Sequence, residues 1–441
     1  MYARPMILKT RLRAATYTAL LILVTCPVLV HAQSSPAANF EKPFYLQDGD
    51  TVVFYGDSIT EQLYYTQAVE DYVTTRFPHM HVRYFNAGNG GDRVTGGSAG
   101  PIDERLARDV FSLKPTVVTI MLGMNDGGYG VLTPEIENKY TQGYEHILDS
   151  IQKTLPGVRI TLLGPSPYDE VSRAEIVRGG YNATLVHFAA IDKELAAKYS
   201  ATFIDLNASF VASLKRGMAI DPLATELLLP DRIHPEPTAH WLMAEAILKG
   251  WNAPAIVSST TIDAKQHIAV DTQNSQVSAV SSVPGRDSAV SWTELDGALP
   301  LPLDDKNAGQ QFLRQISDID RDLDQQILKV QGLSPGNYQL TIDGQPTGIF
   351  TSGELAQGIN LADMSTPMRG QSYRVSWYIR DREDAHYVRL RMLVNQMKTG
   401  SSAEPGATDL LRFEDDLQRQ IYEMAQPLPH KYLVVPTQSS R

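Results

Sequence analysis

The sequence predicts an α/β fold over residues 48–252, with a five-stranded parallel sheet covered by helices, and an α+β region over 253–441. Three observations lead there. From about Asp48 to Trp251, short β-branched apolar runs alternate with longer helical stretches, the pattern of parallel strands joined by crossover helices. Several of those runs end in Gly, Asp or Asn. After Trp251 the composition shifts to Ser, Val, Thr, Asp and Gln, with hairpin signals and then two charged helical stretches.

Taken in order, Thr51–Asp57 reads as a strand and Glu61–Arg76 as a helix. Val82–Gly88 is a strand that runs into a glycine-rich loop, Asn89–Gly100. Ile102–Leu113 is helical, and Thr116–Asn125 is a strand of the buried kind. A helix over Glu135–Leu155 precedes a strand over Arg159–Pro165, and a helix over Tyr181–Tyr199 precedes a strand over Thr202–Leu206. Thr238–Trp251 closes the unit as a helix. Crossovers are right-handed in such folds. Beyond it, Gln326–Leu333, Asn337–Asp343 and Thr347–Thr351 read as short antiparallel strands, punctuated by Pro335-Gly336 and Asp343-Gly344. Two helices follow, over about 367–397 and 408–425.

The N-terminus reads as an export signal over residues 1–32. Arg4, Lys9, Arg11 and Arg13 precede an apolar run, and Val30-His31-Ala32 supplies a cleavage site. Residues 33–47 read as a flexible lead. Pro27 and the short run argue against a permanent span. A secreted or periplasmic protein is therefore expected. The single cysteine, Cys26, lies within the signal, which leaves no disulfide. Net charge is −11, or −15 without the four basic residues of the signal. Such acidity disfavours nucleic acid and anionic lipid as partners and suits an uncharged small or polymeric substrate.

Chemistry concentrates in four short blocks. Gly56-Asp-Ser58 ends the first strand and offers a hydroxyl at the sheet's edge. A serine needs a base, an orienter for that base and donors for the oxyanion. Asp231-Arg-Ile-His234 supplies His234 as base, with Asp231 three residues earlier as orienter; Asp205, at the end of the last strand, is the rival. Gly91, in Asn86-Ala-Gly-Asn-Gly-Gly-Asp92, allows close approach of a backbone N–H. Asn125, in Leu122-Gly-Met-Asn-Asp126, offers a side-chain amide at the end of the third strand. With the Ser58 N–H, these make three oxyanion donors, each worth roughly 3 kcal/mol in acyl transfer. A strand order of 2-1-3-4-5 would flank Ser58 with Gly91 and Asn125 at the switch in order, where open sheets bind ligands.

The four blocks resemble the SGNH hydrolase superfamily, the GDSL-type esterases and lipases, over about residues 48–252. Ser58, Gly91, Asn125 and His234 occur in family order, with Ile59 in place of the Leu of GDSL. The resemblance implies a flavodoxin-like three-layer sandwich and hydrolysis of acyl esters through an acyl-enzyme, without metal or cofactor. Export and acidity tilt the substrate toward acetylated carbohydrate. Lysophospholipase or arylesterase activity is the alternative within the class, and a glycan- or surface-binding protein on an esterase scaffold the alternative outside it.

Other signals weigh less. Gly88-Asn-Gly-Gly-Asp-Arg93 lacks the third glycine of a dinucleotide fingerprint. His79 and His81 have no evident third metal ligand, and His240 reads as packing. Asn182 and Asn207 fit a short glycosylation pattern, and Arg380–Asp384 reads as a solvated helix face. Tyr64, Tyr65, Tyr129 and Tyr168 each follow a strand end closely enough to line a site's rim.

Overall fold

The computed structural model describes residues 43–304, 306–399 and 404–437. The expected export signal, and the lead before residue 43, lie outside the described residues. The described residues form one compact unit. Among the described residues no helix is long and apolar enough to cross a membrane.

The first sheet contains β1 (Thr51–Gly56), β2 (Arg83–Gly88), β3 (Val117–Met121), β4 (Arg159–Gly164) and β5 (Thr202–Asp205), all parallel, in the order β2-β1-β3-β4-β5. Gly56 pairs with Gly88 on one side and Met121 on the other, so three strand ends meet at one level. Val52, Val53, Phe54 and Tyr55 are almost wholly buried, as a strand covered on both faces requires. The flanking helices include α1 (Ser58–Glu61), α2 (Tyr64–Arg76), α3 (Ile102–Asp109), α4 (Pro134–Thr154), α5 (Tyr181–Lys198), α6 (Leu206–Ile220), α7 (Pro222–Glu226) and α8 (His240–Gly250).

Three local differences from the sequence expectation have physical causes. The expected helix from Glu61 breaks at Leu63, whose φ of 72° is left-handed, which separates α1 from α2. The expected strand to Asn125 stops at Met121, because Gly123 turns the chain at φ 126° and Asp126 N–H closes on Gly123 O at 3.1 Å. Asn125 therefore stands on a turn beyond β3. Helix α6 was not expected; Asp205 caps it by accepting from Ala208 N–H at 2.9 Å. At the other end of the sheet, Tyr45 of the lead stacks on Trp251, with ring centroids 5.3 Å apart, and Leu46 is buried.

The C-terminal region holds far more sheet than one hairpin. Strands β6 (Ile256–Asp263), β7 (Ile268–Gln273), β8 (Ser275–Val283), β9 (Arg286–Asp296), β10 (Gln325–Gln331), β11 (Asn337–Ile342), β12 (Gln345–Thr351), β13 (Ile359–Asn360) and β14 (His430–Pro436) form two sheets, ordered β8-β9-β14-β11-β12 and β13-β10-β6-β7. Short helices α9 (Ala308–Ile316), α10 (Ile319–Leu323) and α11 (Ser352–Gln357) connect them. Val290, Trp292, Leu340, Tyr432 and Val434 share their core.

The long helices α12 (Pro367–Thr399) and α13 (Glu404–Met424) pack on each other; α12 also packs on α2 and β2, and Tyr422 of α13 donates to Val82 O at 3.0 Å. The Arg380–Asp384 segment, expected as a solvated face, is split. Arg382 and Glu383 are buried, and Arg382 donates to Glu70 of α2 at 2.6 Å. Arg380 and Asp384 remain an outward pair at 3.2 Å.

Candidate active site

The turn after β1 can close only around glycine. A Cβ on Gly56 would run into the Thr60 hydroxyl and approach Met121 O to 2.9 Å. Asp57 then caps α1, its Oδ1 accepting from Ile59 N–H at 3.0 Å. Ser58 is thus the first residue of a helical turn, where a backbone N–H has no partner within the helix.

Ser58 Oγ lies 2.8 Å from His234 Nε2, and His234 Nδ1 lies 2.6 Å from Asp231 Oδ2. A carboxylate only accepts, so the Nδ1 side carries the proton and Nε2 keeps its lone pair toward the serine. Asp231 is itself fixed: its Oδ1 accepts from the N–H of Ile233 at 2.9 Å and of His234 at 2.8 Å. Partial burial alone would raise its pKa; the backbone N–H and ring of His234, with the Ile233 N–H, hold it below the ordinary carboxylate value instead. Between them Arg232 adopts a left-handed φ of 72°. Its guanidinium donates to Ala174 O at 2.8 Å and lies 5.9 Å from the Tyr168 ring centroid, and its O accepts from Asp169 N–H at 2.9 Å. Asp205, the rival orienter, is exposed and occupied with capping α6.

The glycine-rich loop passes against the serine: a Cβ on Gly90 would sit 3.9 Å from Ser58 Cβ. Gly91 follows at φ 75°, with nothing within 4 Å of a Cβ built there, so backbone conformation, not space, selects glycine. Asp92 anchors the loop through Arg105 at 2.8 Å, and Arg105 also donates to Ala87 O at 2.9 Å. Asn125 Nδ2 donates to Asp92 O at 3.0 Å, and its second amide hydrogen makes only a long contact, 3.5 Å, with Asp57 Oδ2, which a better-placed acceptor on a ligand could replace. Asp126 Oδ1 accepts from Val94 N–H at 3.0 Å and so ties the two loops together.

Burial raises the carboxyls behind the site, Asp57, Asp126 and, against the pull of Arg105, Asp92. Asp57 is pushed up to about 7, the negative charges of Asp126 and Asp92 adding to burial and the Ile59 N–H opposing it. Asp126 is pushed up to about 6 by burial, against the Val94 N–H and Arg93.

The four tyrosines part company. Tyr65 is core, its hydroxyl 2.9 Å from Thr60 Oγ1, and Tyr168 is buried beneath Arg232. Tyr129 is 37% exposed and donates to Asn125 Oδ1 at 2.9 Å, which turns the amide nitrogen toward the loop. Tyr64 carries the Arg380 guanidinium 4.9 Å from its ring centroid. His240 is buried, 3.1 Å from Gln62 Oε1, and burial depresses it to about 3. Asn207 is buried against Asn182, at 2.9 Å, and is closed to modification. His81 pairs with Asp48 at 3.2 Å.

Sequence reasoning missed a contribution from α12. Arg391 pairs with Glu61 of α1 and donates to Asn89 Oδ1 at 2.9 Å, and Tyr387 donates to Glu61 at 3.2 Å. These residues lie more than 300 positions from Ser58, and no local pattern marks them. Among the described residues one carboxylate trio, Glu245, Asp318 and Asp322, is close enough to share an ion; Lys249 already pairs with Glu245 and Asp322.

A family model described as GDSL-like Lipase/Acylhydrolase matches residues 54–242. An acetylxylan esterase of Geobacillus stearothermophilus is 27% identical over 219 residues, which cover 46% of this chain and 93% of the relative. A solved structure of a gut microbial diltiazem-metabolizing enzyme is similar over 89% of this chain and 98% of its own, at 28% identity and a TM-score of 0.78.

Proposed function

We propose, from the premise that this chain belongs to the GDSL-like lipase/acylhydrolase family and is a carboxylic ester hydrolase, that it is an exported carbohydrate O-deacetylase working through an acyl-enzyme. The observation that carries the serine mechanism is the unbroken line Ser58 Oγ, His234, Asp231, at 2.8 and 2.6 Å. Ser58 Oγ bonds to the ester carbonyl carbon while its proton passes to His234 Nε2. The oxyanion is met by the N–H groups of Ser58 and Gly91 and by Asn125 Nδ2. Collapse expels the alcohol, which takes the proton from His234. Water then attacks the acyl-serine, giving its proton to His234, and the carboxylic acid leaves as Ser58 is reprotonated. Asp231 holds the imidazole and stabilises its cation.

The carbohydrate assignment is supported by the acetylxylan esterase relative, and export by the basic and apolar residues of 1–32. Acetate release from acetylated xylo-oligosaccharides, measured beside turnover of long-chain acyl esters and of diltiazem, tests the assignment. The acetylated sugar should be favoured by on the order of ten-fold or more in kcat/KM. Preference for long acyl chains would transfer the chain to the lysophospholipase reading. Protein recovered from the native host should begin near Gln33; an N-terminus at Met1 would contradict export.

A further inference from the structure

A cavity of about 740 Å³ runs between α2, the segment before α8, and α12. Its size is that of a small-molecule site. Tyr64, Gln67 and Asp71 line it at helical spacing along one face of α2, and Ser376, Trp377 and Arg380 face them from α12. Tyr64 lies six residues beyond Ser58 and Pro237, also in its wall, three residues beyond His234. The Tyr64 ring lies 5.4 Å from that of His240, which meets Gln62 Oε1 at 3.1 Å, and Gln62 Nε2 donates to Pro235 O beside His234 at 3.5 Å, so the cavity wall is in contact with the segments that carry Ser58 and His234.

Two features point to a ligand. Trp377 is 74% exposed, a wide aromatic face held on a helix and left open to solvent. Asp71, only 3% exposed, gives one carboxyl oxygen to Ser376 Oγ at 3.0 Å, and the other has no partner. A buried polar atom in that condition is costly unless something binds it. Burial raises Asp71 to about 8, against the Ser376 hydroxyl, so near neutral pH it is a carboxylic acid that can both donate and accept. Gln67 Nε2 donates to Ser376 Oγ at 3.2 Å, which fixes the hydroxyl. Arg380 is engaged by the Tyr64 ring and by Asp384.

Aromatic faces beside neutral groups that donate and accept match a sugar ring, which has an apolar C–H face and a rim of hydroxyls. Asp304, Lys306 and Arg369 also line the cavity; a fatty acyl chain would offer Asp71 no hydrogen bond, and an anion would gain nothing from it. We propose that this cavity is a subsite for the neutral sugar rings of an oligosaccharide whose ester is presented to Ser58. The proposal rests on the carbohydrate reading above and adds to it where the chain is held.

Calorimetric titration of the full chain with xylohexaose, cellohexaose and mannohexaose, none of them acetylated, tests the subsite apart from catalysis. Wild type should bind at least one of them. Trp377→Ala, at an exposed position that should not disturb folding, should weaken that binding by ten-fold or more. Ile349→Ala, exposed and outside the cavity, should leave it unchanged. Failure of all three sugars to bind wild type, or equal binding by Trp377→Ala, overturns the subsite. Binding that depends on Trp377 without acetate release from acetylated xylo-oligosaccharides would sink the deacetylase reading and leave the subsite standing.

Discussion

Asp231 and Asp205 are the same residue type near the same sheet edge, yet their neighbours separate them. Asp231 spends one oxygen on two backbone N–H groups and the other on His234 Nδ1. Asp205 faces the start of α6. Asp231→Asn removes the charge that stabilises the imidazolium and should lower kcat by roughly 10²–10⁴-fold. Asp205→Asn keeps a good cap and should leave kcat near wild type. Steady-state kinetics on p-nitrophenyl acetate read both, and a larger loss at Asp205 would reverse the assignment. The Asp-x-x-His spacing already carried this pair, because three residues suffice for an Asx-type turn to fold one side chain onto the other. The left-handed φ at Arg232 was not legible, since it depends on acceptors at Asp169 and Ala174, far away in the chain.

Strand order and strand ends place Ser58, the glycine-rich loop and the Asn125 turn together, and the short continuous apolar runs alternating with helical stretches over residues 48–252 reveal the five strands directly. The C-terminal strands were harder to see. β7 and β8 are largely exposed, β7 with Ile268, Ala269 and Val270 consecutive and β8 rich in serine, so they lack the alternation that marks a half-buried strand. α12 was legible as a helix, but its partners were not. Arg391 joins Glu61 of α1, the helix that begins at Ser58, to Asn89 of the glycine-rich loop. Removing it takes one tie from each element, while Glu61 keeps the Tyr387 hydroxyl, without touching Ser58 or His234. Arg391→Ala should therefore lower kcat by roughly ten-fold, because small misplacements of catalytic groups are expensive. Circular dichroism should stay unchanged. An unaltered kcat would show that α12 merely lies beside the site.

Across the molecule, buried carboxyls set how stability responds to pH. Burial raises Asp71 to about 8, Asp57 to about 7 and Asp126 to about 6, and lifts Asp192 well above its ordinary value. The folded chain therefore keeps protons that the unfolded chain releases above about pH 4. This stabilisation is complete below that pH and is lost as pH rises through 6 to 8. The thermal midpoint should fall by several degrees between pH 6 and pH 9, and the fall should be shallower in Asp71→Asn, whose amide does not titrate. A midpoint that rises over this range would contradict the assignment of buried, protonated carboxyls. The whole account depends on Ser58 becoming acylated. Rapid quenching of the enzyme with an activated acetyl ester, followed by peptide mass spectrometry, reads this directly. The account predicts one acetyl group on Ser58 in wild type and none on that peptide in Ser58→Ala, which should also lose turnover by about 10⁴-fold or more. Undiminished turnover in Ser58→Ala, or an acetyl group carried by another residue, would contradict it.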